Sequence, residues 1–173
     1  SRKATFSVDQ KLELLEQLCD GLACAHDAGL IHRDIKHANL MVAEGSNELK
    51  ILDFGIARST DLSGFTQTGA IIGTPNYMSP EQAQGRPVDY KSDIFSVGAV
   101  VYEFLTYRRV FPGRGLRAVI DAVPRPVSEV IPSLSSVLDD IVNSALAKSP
   151  DDRCQSLRVI ASRLASVRKN PGT

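Results

Sequence analysis

His32-Arg33-Asp34-Ile35-Lys36-His37-Ala38-Asn39 sets a carboxylate, an ammonium and a carboxamide within a few positions of one another. A helical pattern leads into this stretch, and a strand-like run, Leu40-Met41-Val42-Ala43, leaves it. A second acidic turn, Asp53-Phe54-Gly55, closes the next apolar run, Leu49 to Leu52. Glu44-Gly45-Ser46-Asn47-Glu48 between the two runs is turn-rich, as a hairpin connection requires. Two polar turns are therefore held at the ends of one short β-ribbon.

Upstream, a helix is expected from Ser7 to about Ala28. Ser7 followed by Gln10 is a capping box. Leu12, Leu15, Cys19, Leu22 and His26 give one apolar face, and Gly29 ends the helix. Downstream, Ile56 to Gln84 shows no sustained period, and Gly73-Thr74-Pro75 and Ser79-Pro80 act as breakers. So long a loop in a compact domain is commonly functional. Lys91 to Thr106 is apolar on nearly every face, which predicts a helix buried on all sides. It is too short for a membrane span and contains Glu103. Leu116, Val119 and Ile120 predict a short helix, and Pro124, Pro126 and Pro132 an irregular connection. Val137 to Ala145 and Leu157 to Val167 carry two more helical faces. Ser149-Pro150-Asp151-Asp152 has helix-start chemistry, and Arg168 to Thr173 reads as a fraying polar tail. The expected fold is mainly α, with about five or six helices around the Lys91–Thr106 post and a short β-ribbon.

The 173 residues suffice for one domain with a real core. Apolar content of 43% and charged content of 23% are ordinary for a globular protein. A formal net charge of zero gives no pull toward nucleic acid or an acidic membrane. Cys19, Cys24 and Cys154 form no C-x-x-C pair. Such a sparse, odd set fits small buried residues in a reducing, cytoplasmic compartment. Ser1 to Phe6 has neither an initiating Met nor a signal-peptide apolar core, so the chain reads as a piece of something longer.

Asp34 and Asp53, on neighbouring turns beside Lys36 and Asn39, suit phosphoryl transfer. That reaction needs a base at the accepting hydroxyl, oxygen ligands for Mg²⁺ and a cation on the transferred group. Asp34 can be the base, Asn39 and Asp53 the ligands, and Lys36 the cation. A carboxylate pair for glycoside hydrolysis is the rival, and it leaves Lys36, Asn39 and the long loop without a purpose.

With these residues assembled, the chain resembles the eukaryotic-type protein kinases, in their bacterial serine/threonine form. His32-Arg33-Asp34-Ile35-Lys36-x-x-Asn39 matches their catalytic loop and Asp53-Phe54-Gly55 their D-F-G. Gly73-Thr74-Pro75-Asn76-Tyr77-Met78-Ser79-Pro80-Glu81 is similar to the segment ending in A-P-E, with Ser79 for Ala. Lys91-Ser92-Asp93-Ile94-Phe95-Ser96-Val97-Gly98 is similar to the D-x-W-S-x-G start of the central helix, with Phe95 for Trp. Arg153 takes the place of the family's late arginine.

The resemblance implies a C-terminal kinase lobe over residues 1–168, a tail over 169–173, and ATP with Mg²⁺ (or Mn²⁺) as cofactors. It implies that Asp34 orients and deprotonates the acceptor hydroxyl, and that Lys36 steadies the γ-phosphoryl group and favours Ser/Thr acceptors. Asn39 and Asp53 would hold metal, and Met41 would lie under the adenine. Thr74 would bridge to Asp34 and Lys36, Glu81 would pair with Arg153, and Asp93 would hold the catalytic-loop backbone. His32 and Phe54 would stack in an apolar column. Arg33 would receive phosphate from Thr66 or Thr68, with Arg58 assisting. His37 stands where the family usually has Pro, and it has no assigned role.

The family's glycine-rich loop, V-A-I-K lysine and hinge do not occur before residue 32. The 173 residues alone are therefore expected to bind ATP weakly and to lack activity, with an apolar patch exposed around His32, Met41 and Phe54. The expected partners are a protein substrate with a Ser/Thr acceptor and a kinase N-lobe, with no nucleic acid and no membrane segment in the chain. The alternatives are a truncated kinase-like binding module without catalysis and a small-molecule phosphotransferase. The peptide-receiving Gly73–Glu81 segment argues against the latter.

Overall fold

The computed structural model describes residues 6–43, 45–54, 76–113 and 115–170. The central element is α3, Tyr90–Thr106, which starts at an Asp89 side chain accepting from the Lys91 N–H at 2.8 Å. Ile94, Phe95, Val97, Val100, Val101 and Leu105 along it are buried. Each such side chain contributes about 1.5–3 kcal/mol by leaving water. Gly98 marks the closest approach to a neighbour. A Cβ there would lie 2.7 Å from the Ala145 Cβ and 3.1 Å from Leu146, on and just past helix α6, Val137–Ala145.

Helix α1, Val8–Asp27, begins with the reciprocal Ser7–Gln10 capping box and is followed by Gly29 at φ +76°. Its buried stripe of Leu12, Leu15, Leu18, Cys19 and Leu22 packs along α7, Leu157–Lys169, and against α3. Cys24 is exposed, not buried. It stands five residues from Cys19, about 140° round the helix, and so falls off the stripe. Helix α7 runs into the stretch read as a tail, because the Arg168 Nε reaches Glu16 on α1 at 2.7 Å.

Strand β1, Leu40–Val42, pairs antiparallel with β2, Leu49–Ile51, with Met41 opposite Lys50. Leu40, Leu49 and Ile51 pack against the core, while Met41 stands 48% exposed on the open face. Polar residues of α1 bind the ribbon to the helix. Gln17 donates to the Asn47 carbonyl at 2.7 Å and accepts from the Leu49 N–H at 2.9 Å, and Asn47 donates to Glu13 at 2.9 Å.

Three local expectations are corrected. Ser79-Pro80 does not break structure but starts α2, Pro80–Ala83, through a Ser79–Gln82 capping box with Pro in its first turn. Ser149 caps nothing; Pro150–Asp152 is a single 3-10 turn. The chain turns extended at Arg153, whose side chain is drawn into the core, and α7 starts later at the Ser156 cap. The proline-rich connection holds α5, Val127–Val130, after the short α4, Leu116–Asp121.

Candidate active site

The loop between α1 and β1 hangs from α3. Asp93, fully buried, accepts from the His32 N–H through Oδ2 and from the Arg33 N–H through Oδ1, both at 2.8 Å. The same Oδ2 meets the His26 Nε2 at 2.8 Å. His26, read as a packed helix residue, is thus also a polar partner of the loop's anchor. Its place in the last turn of α1 was visible in the sequence, but its reach to Asp93, across 67 positions, was not.

Two non-glycine residues of the site are left-handed, Arg33 at φ +67° and Asp53 at φ +52°. Such a backbone costs of order 1–3 kcal/mol and persists where surroundings over-determine it. Arg33 shows how, since Asp93 holds its N–H and the Gln82 amide donates to its carbonyl at 2.9 Å.

His32 is buried, so the expected apolar patch does not include it. The Phe54 ring covers it at 4.7 Å between centroids. Its Nδ1 faces the Asp34 N–H at 3.3 Å and its Nε2 faces the Leu52 carbonyl at 2.9 Å. Those partners set an Nε2–H tautomer, because an amide N–H needs an acceptor and a carbonyl a donor. Met41 and Leu52, on the ribbon and just after it, are exposed apolar side chains among the described residues.

Asp34 lies at the centre. The Lys36 ammonium is 2.8 Å from its Oδ2, with both side chains partly exposed. Asn39, in the 3-10 turn His37–Asn39, donates through Nδ2 to the Asp34 carbonyl at 2.7 Å and to Oδ2 at 3.3 Å. With its NH₂ committed there, the amide oxygen is the end left for a metal. The Leu52 N–H donates to the Asn39 carbonyl at 2.8 Å, which brings the exposed Asp53 beside this turn. An amide oxygen and a carboxylate are hard donors that suit Mg²⁺, which is commonly held by one or two carboxylates together with substrate phosphates. Among the described residues no cluster of three or more His, Cys, Asp or Glu is gathered for a metal.

Beneath the loop, Glu81 and Arg153 form a two-pronged buried pair, with both N···O distances 2.6 Å. The Arg153 Nε donates to the Ala147 carbonyl at 2.8 Å, and the two terminal nitrogens donate to the Lys91 and Lys148 carbonyls at 3.0 Å. All five guanidinium N–H groups are thus used. The Ser92 hydroxyl donates to Glu81 at 2.5 Å. Burial alone would raise the Glu81 pKa. The hydrogen bonds from Arg153 and Ser92 outweigh it and hold the carboxyl at about 2.

The segment after residue 75 is fastened to the same scaffold. The Ser96 hydroxyl donates to the Tyr77 carbonyl at 2.6 Å, and the Tyr77 hydroxyl donates to Glu103. None of Ser92, Ser96, Gln82 or Glu103 stood out in the sequence as part of the site. Only Gln82, three residues after Ser79, carried a readable signal. Gly55, Arg58, Thr66, Thr68 and Thr74 lie outside the described residues.

Residues 1–164 match the protein kinase domain. The chain belongs to the protein kinase family. It is 41% identical over 175 aligned residues to a probable serine/threonine-protein kinase of Corynebacterium efficiens, covering 95% of this chain and 26% of that protein. It is 42% identical over 162 residues to the serine/threonine-protein kinase PknB of Mycobacterium tuberculosis, covering 90% and 26%. To the serine/threonine-protein kinase Pkn1 of Myxococcus xanthus it is 39% identical over 161 residues, covering 88% and 23%. This kinase chain thus spans about a quarter of the length of the curated relatives it matches. No helix among its described residues is long and apolar enough to cross a membrane.

Proposed function

We propose that residues 1–168 are the C-terminal lobe of a serine/threonine protein kinase, the part that positions the acceptor hydroxyl and supplies the base. The supporting observation is the Asp34 carboxylate, held by Lys36 and Asn39 in a loop suspended from buried Asp93. Asp34 accepts the proton of a protein Ser or Thr hydroxyl, worth roughly 10²–10⁴ in rate. Lys36 lies beside it to neutralise charge on the transferred phosphoryl group, and Asn39 and Asp53 would hold Mg²⁺ or Mn²⁺. A divalent metal held by these two residues would supply positive charge to offset that of the ATP phosphates. Met41 is exposed on the ribbon's open face, and in this reading it would lie under the adenine.

Arg33 offers a receptor for regulation. Its Nε is buried with no hydrogen-bond partner among the described residues. A phosphate on Thr66 or Thr68 would supply about two negative charges and three acceptor oxygens to it. Thr74 would tie the peptide-binding side to Asp34 and Lys36.

The test is transfer from radiolabelled ATP to a protein acceptor, using the natural full-length polypeptide that carries these residues. Labelled Ser or Thr is expected, with Asp34→Asn at least a hundredfold slower. The 173 residues alone, which have no glycine-rich loop before His32, are expected to give negligible transfer. Labelling of Tyr alone, or full activity of Asp34→Asn, would contradict the reading.

A further inference from the structure

His37 stands in the middle of the transfer loop, directly after Lys36 and in the same 3-10 turn as Asn39. Its Nδ1 lies 2.8 Å from the Tyr77 hydroxyl oxygen. That hydroxyl gives its own proton to the Glu103 carboxylate on α3. A phenol has one proton, so the Tyr77 oxygen can only accept from His37, and Nδ1 must carry the hydrogen. The result is a directed relay, His37 Nδ1–H to Tyr77 O–H to Glu103, with the His37 Nδ1 also 3.7 Å from Glu103. The ring packs edge-on to Tyr77 at 5.6 Å and tilted to Phe104 at 6.1 Å.

We propose that His37 is a positioning residue, which fixes the Lys36–Asn39 turn to the segment following residue 75 through Tyr77 and Glu103. The inference rests on the kinase reading. Asn39 restrains the turn on its Asp34 side, through Asp34 itself. His37 restrains it separately, through Tyr77 in the described part of the Gly73–Glu81 segment. With both restraints present, Lys36, Asp34 and the segment from residue 76 onward move as one body. Without His37 the turn can shift relative to that segment while its hold on Asp34 remains. Misplacement of reacting groups by about 1 Å can cost as much as a hundredfold. The loss should therefore fall on use of the protein acceptor and leave the handling of ATP intact.

Steady-state kinetics of the natural full-length polypeptide, with a Ser/Thr peptide and ATP each varied, test this. His37→Ala is expected to lower kcat/KM for the peptide about tenfold while KM for ATP stays within about twofold. His37→Asn, whose amide N–H can still donate to Tyr77, is expected to recover most of the loss. Tyr77→Phe should match His37→Ala, and the double variant should be no worse than either alone, because both remove one relay. Peptide kcat/KM within twofold of the parent for His37→Ala, or an equal loss in KM for ATP, would overturn the proposal. Histidine ¹⁵N shifts of the same polypeptide separate this from the kinase reading. A parent protein without transfer would refute that reading alone, whereas an Nε2–H tautomer at His37 would refute the relay whatever the activity.

Discussion

Glu81 and Asp93 below the loop, and Asp34 and Asp53 above it, are the same kind of group in opposite circumstances. The lower pair is buried, with every carboxylate oxygen accepting from a protein donor. The upper pair reaches solvent, Asp34 in part and Asp53 as an exposed residue. A buried carboxylate persists only when its hydrogen bonds replace those of water, so the lower acids serve the fold. A carboxylate that must take a proton or a metal has to keep an accessible oxygen, so the upper acids gain little from it in stability. The contrast separates residues that hold the loop from those that would do its chemistry.

The largest expected effect in stability is at Arg153. Arg153→Ala leaves Glu81 buried and ionised without its partner, at a cost of about 3–5 kcal/mol. Chemical denaturation should show the protein largely unfolded or its midpoint sharply lowered; a small shift would show that the lower acids are not structural. Acid should reproduce part of this loss. The folded Glu81 pKa, about 2, lies below the ordinary 4.5. The stabilisation is therefore complete above about pH 4.5 and lost as pH falls toward 2, roughly 3 kcal/mol in all. Stability measured against pH should decline across that window, and Glu81→Gln should flatten the decline.

Asp93→Asn is expected to cost about 1–3 kcal/mol, since an NH₂ then faces a backbone N–H it cannot satisfy. Exchange of the His32 and Arg33 amide hydrogens should accelerate with it. Ser79→Ala removes the α2 cap and should cost about 1 kcal/mol in denaturant midpoint, the smallest of these effects on the lower side.

Much of this division was legible in the sequence. The α1 capping box, the apolar all-round α3 and the ribbon were readable because local periodicity and cap chemistry determine them. The upper residues were readable because Asp34, Lys36 and Asn39 are neighbours in the chain. The lower network was less so. His26 meets Asp93, and Tyr77 meets Glu103, only once α1, α3 and the segment after residue 75 have packed. The Ser149 turn misled for the same reason. Its local chemistry favours a helix, but burial of Arg153 against Glu81 draws the chain into an extended path. His37 was conspicuous only as a departure from proline, and its partner lies 40 positions away.

The measurement that bears most directly on the contrast is one set of variants read two ways. Asp34→Asn, Asp53→Asn and Asp93→Asn in the natural full-length polypeptide would each be scored for denaturant midpoint and for phosphoryl transfer. The two upper variants are expected to stay within about 1 kcal/mol of the parent in stability while transfer falls at least a hundredfold. Asp93→Asn is expected to lose both together. Upper variants that destabilise the fold as much as Asp93→Asn, or that transfer phosphate at the parent rate, would contradict the assignment of chemistry to one side of the loop and support to the other.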